Sequence, residues 1–153
     1  MIGLNARNCT ASLLALMLSV ADAPASAQKM VSVDRNEINM RSGPGTRHEA
    51  LWLLGQGYPL QVIGRKGDWY QVRDFEADKG WVYRPLVDTT RHHIVKAKVA
   101  NIRRAPSTRS AVVGKAQYGD VLRTVERRKH WVKVQREGRK GQGWIARRLL
   151  WGW

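Results

Sequence analysis

A single cysteine, a single phenylalanine and only twelve acidic residues stand in this 153-residue chain. Cys9 lies in front of the one long apolar stretch, residues 11–21. That stretch follows Arg7 and runs on to Ala25-Ser26-Ala27, the small-x-small pattern of a signal cleavage site. It falls well short of the roughly 20 apolar residues that a spanning helix needs. Residues 1–27 therefore read as a cleavable signal peptide, with a mature chain from Gln28 that is exported to the periplasm or secreted. Cleavage removes Cys9, which excludes a disulfide and a thiol nucleophile from the mature chain. Beyond residue 27 the sequence also lacks runs of Ala, Leu, Glu and Lys at helical spacing. Short alternating segments divided by glycine-containing turns take their place, the pattern of an all-β protein.

The segments occur twice. Gly67-Asp68-Trp69-Tyr70-Gln71-Val72 with Gly80-Trp81-Val82 recurs as Lys129-His130-Trp131-Val132-Lys133-Val134 with Gly143-Trp144-Ile145. The chain aligns with itself at an offset of 62 residues from Asn39 to Val72, and at 63 thereafter. Asn39-Met40-Arg41 faces Asn101-Ile102-Arg103, Pro44 faces Pro106, Gly57 faces Gly119 and Arg84 faces Arg147. A period this long exceeds that of a solenoid repeat and matches a small domain. The expected organisation is residues 28–88 as a first domain and 89–153 as a second. The polar stretch 88–93 connects them, and His92 and His93 are expected to be solvated there. The tail Leu149-Leu150-Trp151-Gly152-Trp153 either closes the second domain or packs at the seam between the two.

Within a unit, five short strands are expected in about 55 residues. Ser42-Gly43-Pro44-Gly45-Thr46 forms a turn in which Pro44 fixes φ. Arg65-Lys66-Gly67-Asp68 forms a hairpin loop, and Arg84-Pro85-Leu86 a tight turn before the last strand. Closing such strands into a small barrel solves the core and the edge problem together.

The first unit, from Asn39-Met40-Arg41-Ser42-Gly43-Pro44-Gly45-Thr46 through Trp69-Tyr70-Gln71-Val72 to Gly80-Trp81-Val82, resembles a bacterial SH3-like domain. The second resembles it more loosely, since Arg103-Arg104-Ala105-Pro106-Ser107-Thr108 lacks the turn glycines. The whole is similar to exported tandem bacterial SH3-like proteins. The fold so implied is two tandem small SH3-like β-barrels. The resemblance further implies an association with peptidoglycan and a groove that holds an extended peptide.

Such units often accompany cell-wall hydrolases, but no enzyme motif is present and none is expected here. No cofactor or metal is expected either. Trp69 and Trp131, like Trp81 and Trp144, occupy equivalent places, which suggests that they pack the barrels. Aromatic residues confined to the first unit are the better groove candidates: Trp52, Tyr58, Tyr70 and Tyr83, which face Gly114, Asp120, Val132 and Ala146.

Charge separates the units. Residues 28–88 hold nine Lys/Arg and eight Asp/Glu, whereas 89–153 hold seventeen against three, a net of +14. Arg103, Arg104 and Arg109 lie near one turn, Arg127, Arg128 and Lys129 in the central hairpin, and Arg139 and Lys140 in the last long loop. These are the candidate polyanion-binding residues. The expected partner is peptidoglycan or another anionic envelope polymer, held without catalysis by a monomer. The alternative is an adaptor that binds an extended peptide of an envelope protein. Export disfavours nucleic acid as the polyanion.

Overall fold

The computed structural model describes residues 28–153, so the signal peptide and Cys9 lie outside the described residues. Fourteen strands follow one another without an α-helix among the described residues. The first seven are β1 (Met30–Val33), β2 (Glu37–Arg41), β3 (Ala50–Gly55), β4 (Pro59–Lys66), β5 (Trp69–Arg73), β6 (Lys79–Tyr83) and β7 (Val87–Asp88). The second seven are β8 (His92–Val95), β9 (Val99–Arg103), β10 (Val112–Gln117), β11 (Val121–Arg127), β12 (Trp131–Gln135), β13 (Gln142–Ala146) and β14 (Leu150–Gly152). A 3-10 turn precedes the last strand of each set, Arg84–Leu86 and Arg147–Leu149. No helix among the described residues is long and apolar enough to cross a membrane.

The two sheets have the same topology. The first runs β3-β2-β6-β5-β4-β1-β7 and the second β10-β9-β13-β12-β11-β8-β14, with every pairing antiparallel. Each has seven strands rather than the five expected. The early strand divides at Asp34–Asn36, and the short β7 and β14 pair with β1 and β8. β4 and β11 each carry a bulge, at Ile63 and at the equivalent Val125. The extra residue leaves the ladder and bends the strand, so that each sheet wraps its own core.

Those cores are aliphatic. In β5, Tyr70 and Val72 point inward and Trp69, Gln71 and Arg73 outward; in β12, Val132 and Val134 point inward. Val82 and Ile145 are the inward residues of β6 and β13. Three of the repeated tryptophans, Trp69, Trp81 and Trp131, are therefore only half-buried and do not pack the barrels as expected, whereas Trp144 is buried. Each is the neighbour in sequence of a core residue, and a period of two places it on the opposite face. The repeated Gly-Trp pair instead marks a close strand crossing. A Cβ on Gly80 would stand 2.5 Å from Met40 Cγ, and one on Gly143 would collide with Ile102 in the same way.

The connection also differs from expectation. His92 and His93 are not solvated: they are buried in β8, leaving only Thr89–Arg91 between the last strand of one unit and the first of the next. His93 and Val95 face the second core, where His93 Nδ1 lies 2.7 Å from Thr124 Oγ1. His92 faces the first unit, against the turn at Gly57. Burial lowers the pKa of His93 to about 4, with the Arg127 and Arg147 charges acting in the same direction.

The tail does both things that the sequence allowed. Leu150–Gly152 pairs with β8 and completes the second sheet, while Trp153 Nε1 donates to Ser32 Oγ at 3.4 Å in the first unit. Phe75 and Tyr118 add a second bridge between units, with ring centroids 5.3 Å apart and a hydrogen bond from the Tyr118 hydroxyl to Glu76.

Candidate functional site

The four aromatic candidates of the first unit part company. Tyr70 is a core residue, 8% exposed, and not a groove residue. Its ring lies inside because Tyr70 shares its face with Val72; its hydroxyl accepts a hydrogen bond from Lys29 Nζ at 2.9 Å. That bond lowers the phenol pKa against the opposing effect of burial. Tyr58 packs against the same core, with its hydroxyl 3.4 Å from Asp74 Oδ2 and its ring edge-on to Phe75. Burial, and then the Asp74 charge, raise its pKa beyond the ordinary phenol range. Trp52 is exposed on the edge strand β3, opposite Met40. Tyr83 lines a cleft.

That cleft measures about 270 Å³ and is lined by Glu37, Ile38, Asn39, Arg41, Thr46, Trp69, Tyr83 and Leu86. Trp69 and Tyr83 pair across β5 and β6, and their ring centroids are 5.4 Å apart. Beside them Arg84 Nη2 reaches Asp68 Oδ1 at 3.2 Å. The ring pair thus fills part of the cleft, and a carboxylate engages the adjacent arginine.

The same place in the second unit holds a larger cleft, about 550 Å³, lined by Thr108, Lys129, His130, Trp131, Ala146, Arg147 and Arg148. Thr108 corresponds to Thr46, Trp131 to Trp69, Ala146 to Tyr83 and Arg147 to Arg84. The frame that holds both is the same. Arg84 N donates to Asp68 O at 2.8 Å and Arg147 N to His130 O at 2.9 Å, tying the 3-10 turn to the hairpin. A cleft sought among aromatic residues peculiar to the first unit is therefore present in both, around tryptophans that the repeat had assigned to the core.

The family assignment follows from the same two halves. Residues 34–89 match one family model described as bacterial SH3 domain, and residues 98–150 match a second of the same description. The chain belongs to the bacterial SH3 domain family. The tandem bacterial SH3 chain is also 24% identical over 131 residues to "Putative N-acetylmuramoyl-L-alanine amidase YrvJ" of Bacillus subtilis. That match takes in 78% of this chain and only 25% of the relative. Among solved structures, NlpC2 from Trichomonas vaginalis has a TM-score of 0.37 at 14% identity, over 82% of this chain and 48% of that one. An NlpC/P60 family protein from Bacillus cereus gives 0.35 at 13% identity, over 80% and 56%.

The basic residues of the second bacterial SH3 unit do not form a single cluster. Arg128 is engaged: Nε reaches Glu126 Oε1 at 2.8 Å, and its guanidinium lies 4.6 Å from the Trp144 ring. Lys133 approaches the same ring at 6.0 Å, so the buried Trp144 is covered by two cations and stands outside the aliphatic cluster of the second unit. Arg103 is partly engaged, donating to Ser110 O at 2.8 Å. Arg104 and Arg109 stand exposed on the β9–β10 turn, and Arg127 is exposed in the central hairpin. Arg139 and Lys140 line a different hollow, about 280 Å³, with Arg123 and Arg136. Of the predicted cations only Lys129 reaches the Trp131 cleft. Arg147 and Arg148 join it there and were missed. The internal alignment carries the signal, because Pro85 becomes Arg148, Gly67 becomes Lys129 and Asp68 becomes His130.

Asp74, Glu76 and Asp78 bring carboxylate oxygens within 4.8 Å of one another. Asp74 Oδ1 already accepts the Glu76 and Asp78 backbone N–H groups, both at 2.9 Å, so this carboxylate orders its own loop.

Proposed function

We propose that this chain is a non-catalytic envelope-binding protein, exported to the periplasm, that attaches to peptidoglycan or another anionic envelope polymer. The observation that carries this reading is the duplicated cleft around Trp69 and Trp131, set in one near-neutral unit and one unit of net charge +14. An outward tryptophan in a shallow cleft offers an apolar plate to an extended ligand. Clustered cations beside it draw in carboxylates or phosphates. The amidase relative is named for the bond between an N-acetylmuramoyl group and L-alanine, and the matching portion is a quarter of that protein. Such a portion suits attachment more than hydrolysis.

The test is retention of the mature chain on purified peptidoglycan sacculi at low and high salt. Retention at low salt that weakens as salt rises supports the reading, because exposed charges are screened over about 8 Å at physiological ionic strength. No retention at low salt overturns it. Release of soluble fragments from the sacculi would show an enzyme instead.

A second reading, an adaptor for a peptide of an envelope protein, draws on the edge strand β3. Leu51, Trp52 and Leu53 are all exposed there, Leu53 at 62%. A free edge can accept an added strand. Salt-insensitive binding of a partner, lost on Trp52→Ala, would mark that role.

A further inference from the structure

The two clefts share a frame and differ in charge; Arg41 lines the first and its equivalent Arg103 does not line the second, but the changes in residue type around them run toward positive charge. Glu37 lines the first cleft, and the equivalent residue is Val99. Asp68, which pairs with Arg84, is replaced by His130, so Arg147 loses the carboxylate that its counterpart has. Gly67 becomes Lys129 and Pro85 becomes Arg148. No acidic residue lines the second cleft. Tyr83, which packs on Trp69, becomes Ala146, and the space around Trp131 doubles from about 270 to about 550 Å³. One substitution opens the cleft, two remove acids and two add cations.

We infer that the Trp131 cleft is a receptor for the free carboxylate of a short extended peptide, and that the Trp69 cleft is not. Arg147 supplies the forked donors that match a carboxylate in two parallel hydrogen bonds. Lys129 and Arg148 add charge at the mouth. The Trp131 ring provides the apolar surface along which the peptide body lies, in the volume that Ala146 leaves open. The equivalent first cleft is narrowed by Tyr83; Arg84 beside it is already held by Asp68, and Arg41, which lines it, donates to the Thr46 and His48 carbonyls. Specificity thus resides in one unit of the pair, and the recognised feature is a chain end rather than net negative charge. This rests on the envelope-binding reading only for the source of the peptide; the carboxylate chemistry stands on the cleft itself.

The experiment uses the mature two-unit chain and a short alanine-rich peptide with a neutral fluorophore at its N-terminus, prepared as free acid and as C-terminal amide. Fluorescence anisotropy is expected to show the acid bound about tenfold more tightly than the amide, the size of one charge-assisted hydrogen-bonded contact. His130→Asp restores the carboxylate that the first unit uses at this position, so it suits the frame. It is expected to abolish the acid-over-amide preference, as is Arg147→Gln. Lys115→Gln, which removes a cation outside this cleft, leaves the preference in place. Equal affinity for acid and amide overturns the assignment, and so does a preference that survives both His130→Asp and Arg147→Gln. Competition by inorganic phosphate as effective as that by free acetate would show a general anion site and also overturns it. Sacculus retention is read on the same proteins. Wild-type retention with no acid preference leaves envelope attachment standing and removes this assignment. Acid preference without retention does the reverse.

Discussion

The rings of Trp69 and Tyr83 stand 5.4 Å apart between centroids, and the residue equivalent to Tyr83 in the second unit is Ala146. Adding the missing ring should make the second cleft like the first. Ala146→Tyr is expected to lay a phenol against Trp131 and occupy the open volume. Affinity for the free-acid peptide should fall about tenfold, while thermal stability stays level or rises slightly from the new aromatic contact. Unchanged peptide affinity in a folded variant would place the ligand elsewhere.

Tyr70 and Tyr83 looked alike in the sequence and should behave differently on truncation. Tyr70→Ala empties part of the first core and is expected to cost about 3–5 kcal/mol. Tyr83→Ala removes an exposed ring that touches Trp69 and is expected to cost about 1 kcal/mol or less. Urea unfolding of the two variants checks this; equal costs would contradict the inward placement of Tyr70.

Gly57 and Gly119 occupy equivalent turns with φ of +77° and +82°, where a side chain is strained in either unit. Their surroundings differ. A Cβ on Gly57 would come within 2.8 Å of the His92 ring across the seam, whereas one on Gly119 meets nothing within 4 Å. Gly119→Ala should therefore cost about 1 kcal/mol of backbone strain, and Gly57→Ala that amount plus the disturbance of the seam. The excess, measured by denaturant unfolding, reports how tightly the units are docked. Equal costs would mean that the seam yields freely.

His93 makes stability depend on pH. Its folded pKa of about 4 lies below the unfolded value of about 6.5, so the unfolded chain takes up a proton first as pH falls. The native state is then destabilised progressively between about pH 6.5 and about 4, by about 3 kcal/mol at the lower end. The stability–pH curve of His93→Gln should be flatter in that window than that of the wild type. Parallel curves would show that His93 is not held neutral.

The two-barrel plan is legible in the sequence, because alternation, turn residues and an internal repeat are local signals. The tryptophans show where that legibility ends. In Trp69-Tyr70-Gln71-Val72 both aromatic residues belong to an alternating strand, and the larger ring is the more obvious core candidate. The strand faces its core with Tyr70 and Val72, so Trp69 falls outside. Arg147 escaped notice for a related reason. It is equivalent to Arg84, and only the ion pair between Arg84 and Asp68 shows what the change to His130 sets free.

The sequence by itself determined the all-β class, the duplication, the concentration of net positive charge in the second half and the turns that the glycines and prolines allow. These depend on neighbours along the chain, and a period of two with turn residues suffices to express them. Which face of each strand meets the core was decided by tertiary structure, because a one-residue shift of register inverts every side chain. The burial of His92 and His93, the reach of Trp153 to Ser32 and the assembly of Lys129, Trp131 and Arg147 into one cleft were decided there as well. Each brings together residues from separate strands or units, and only the coiling and docking of the two sheets sets those distances.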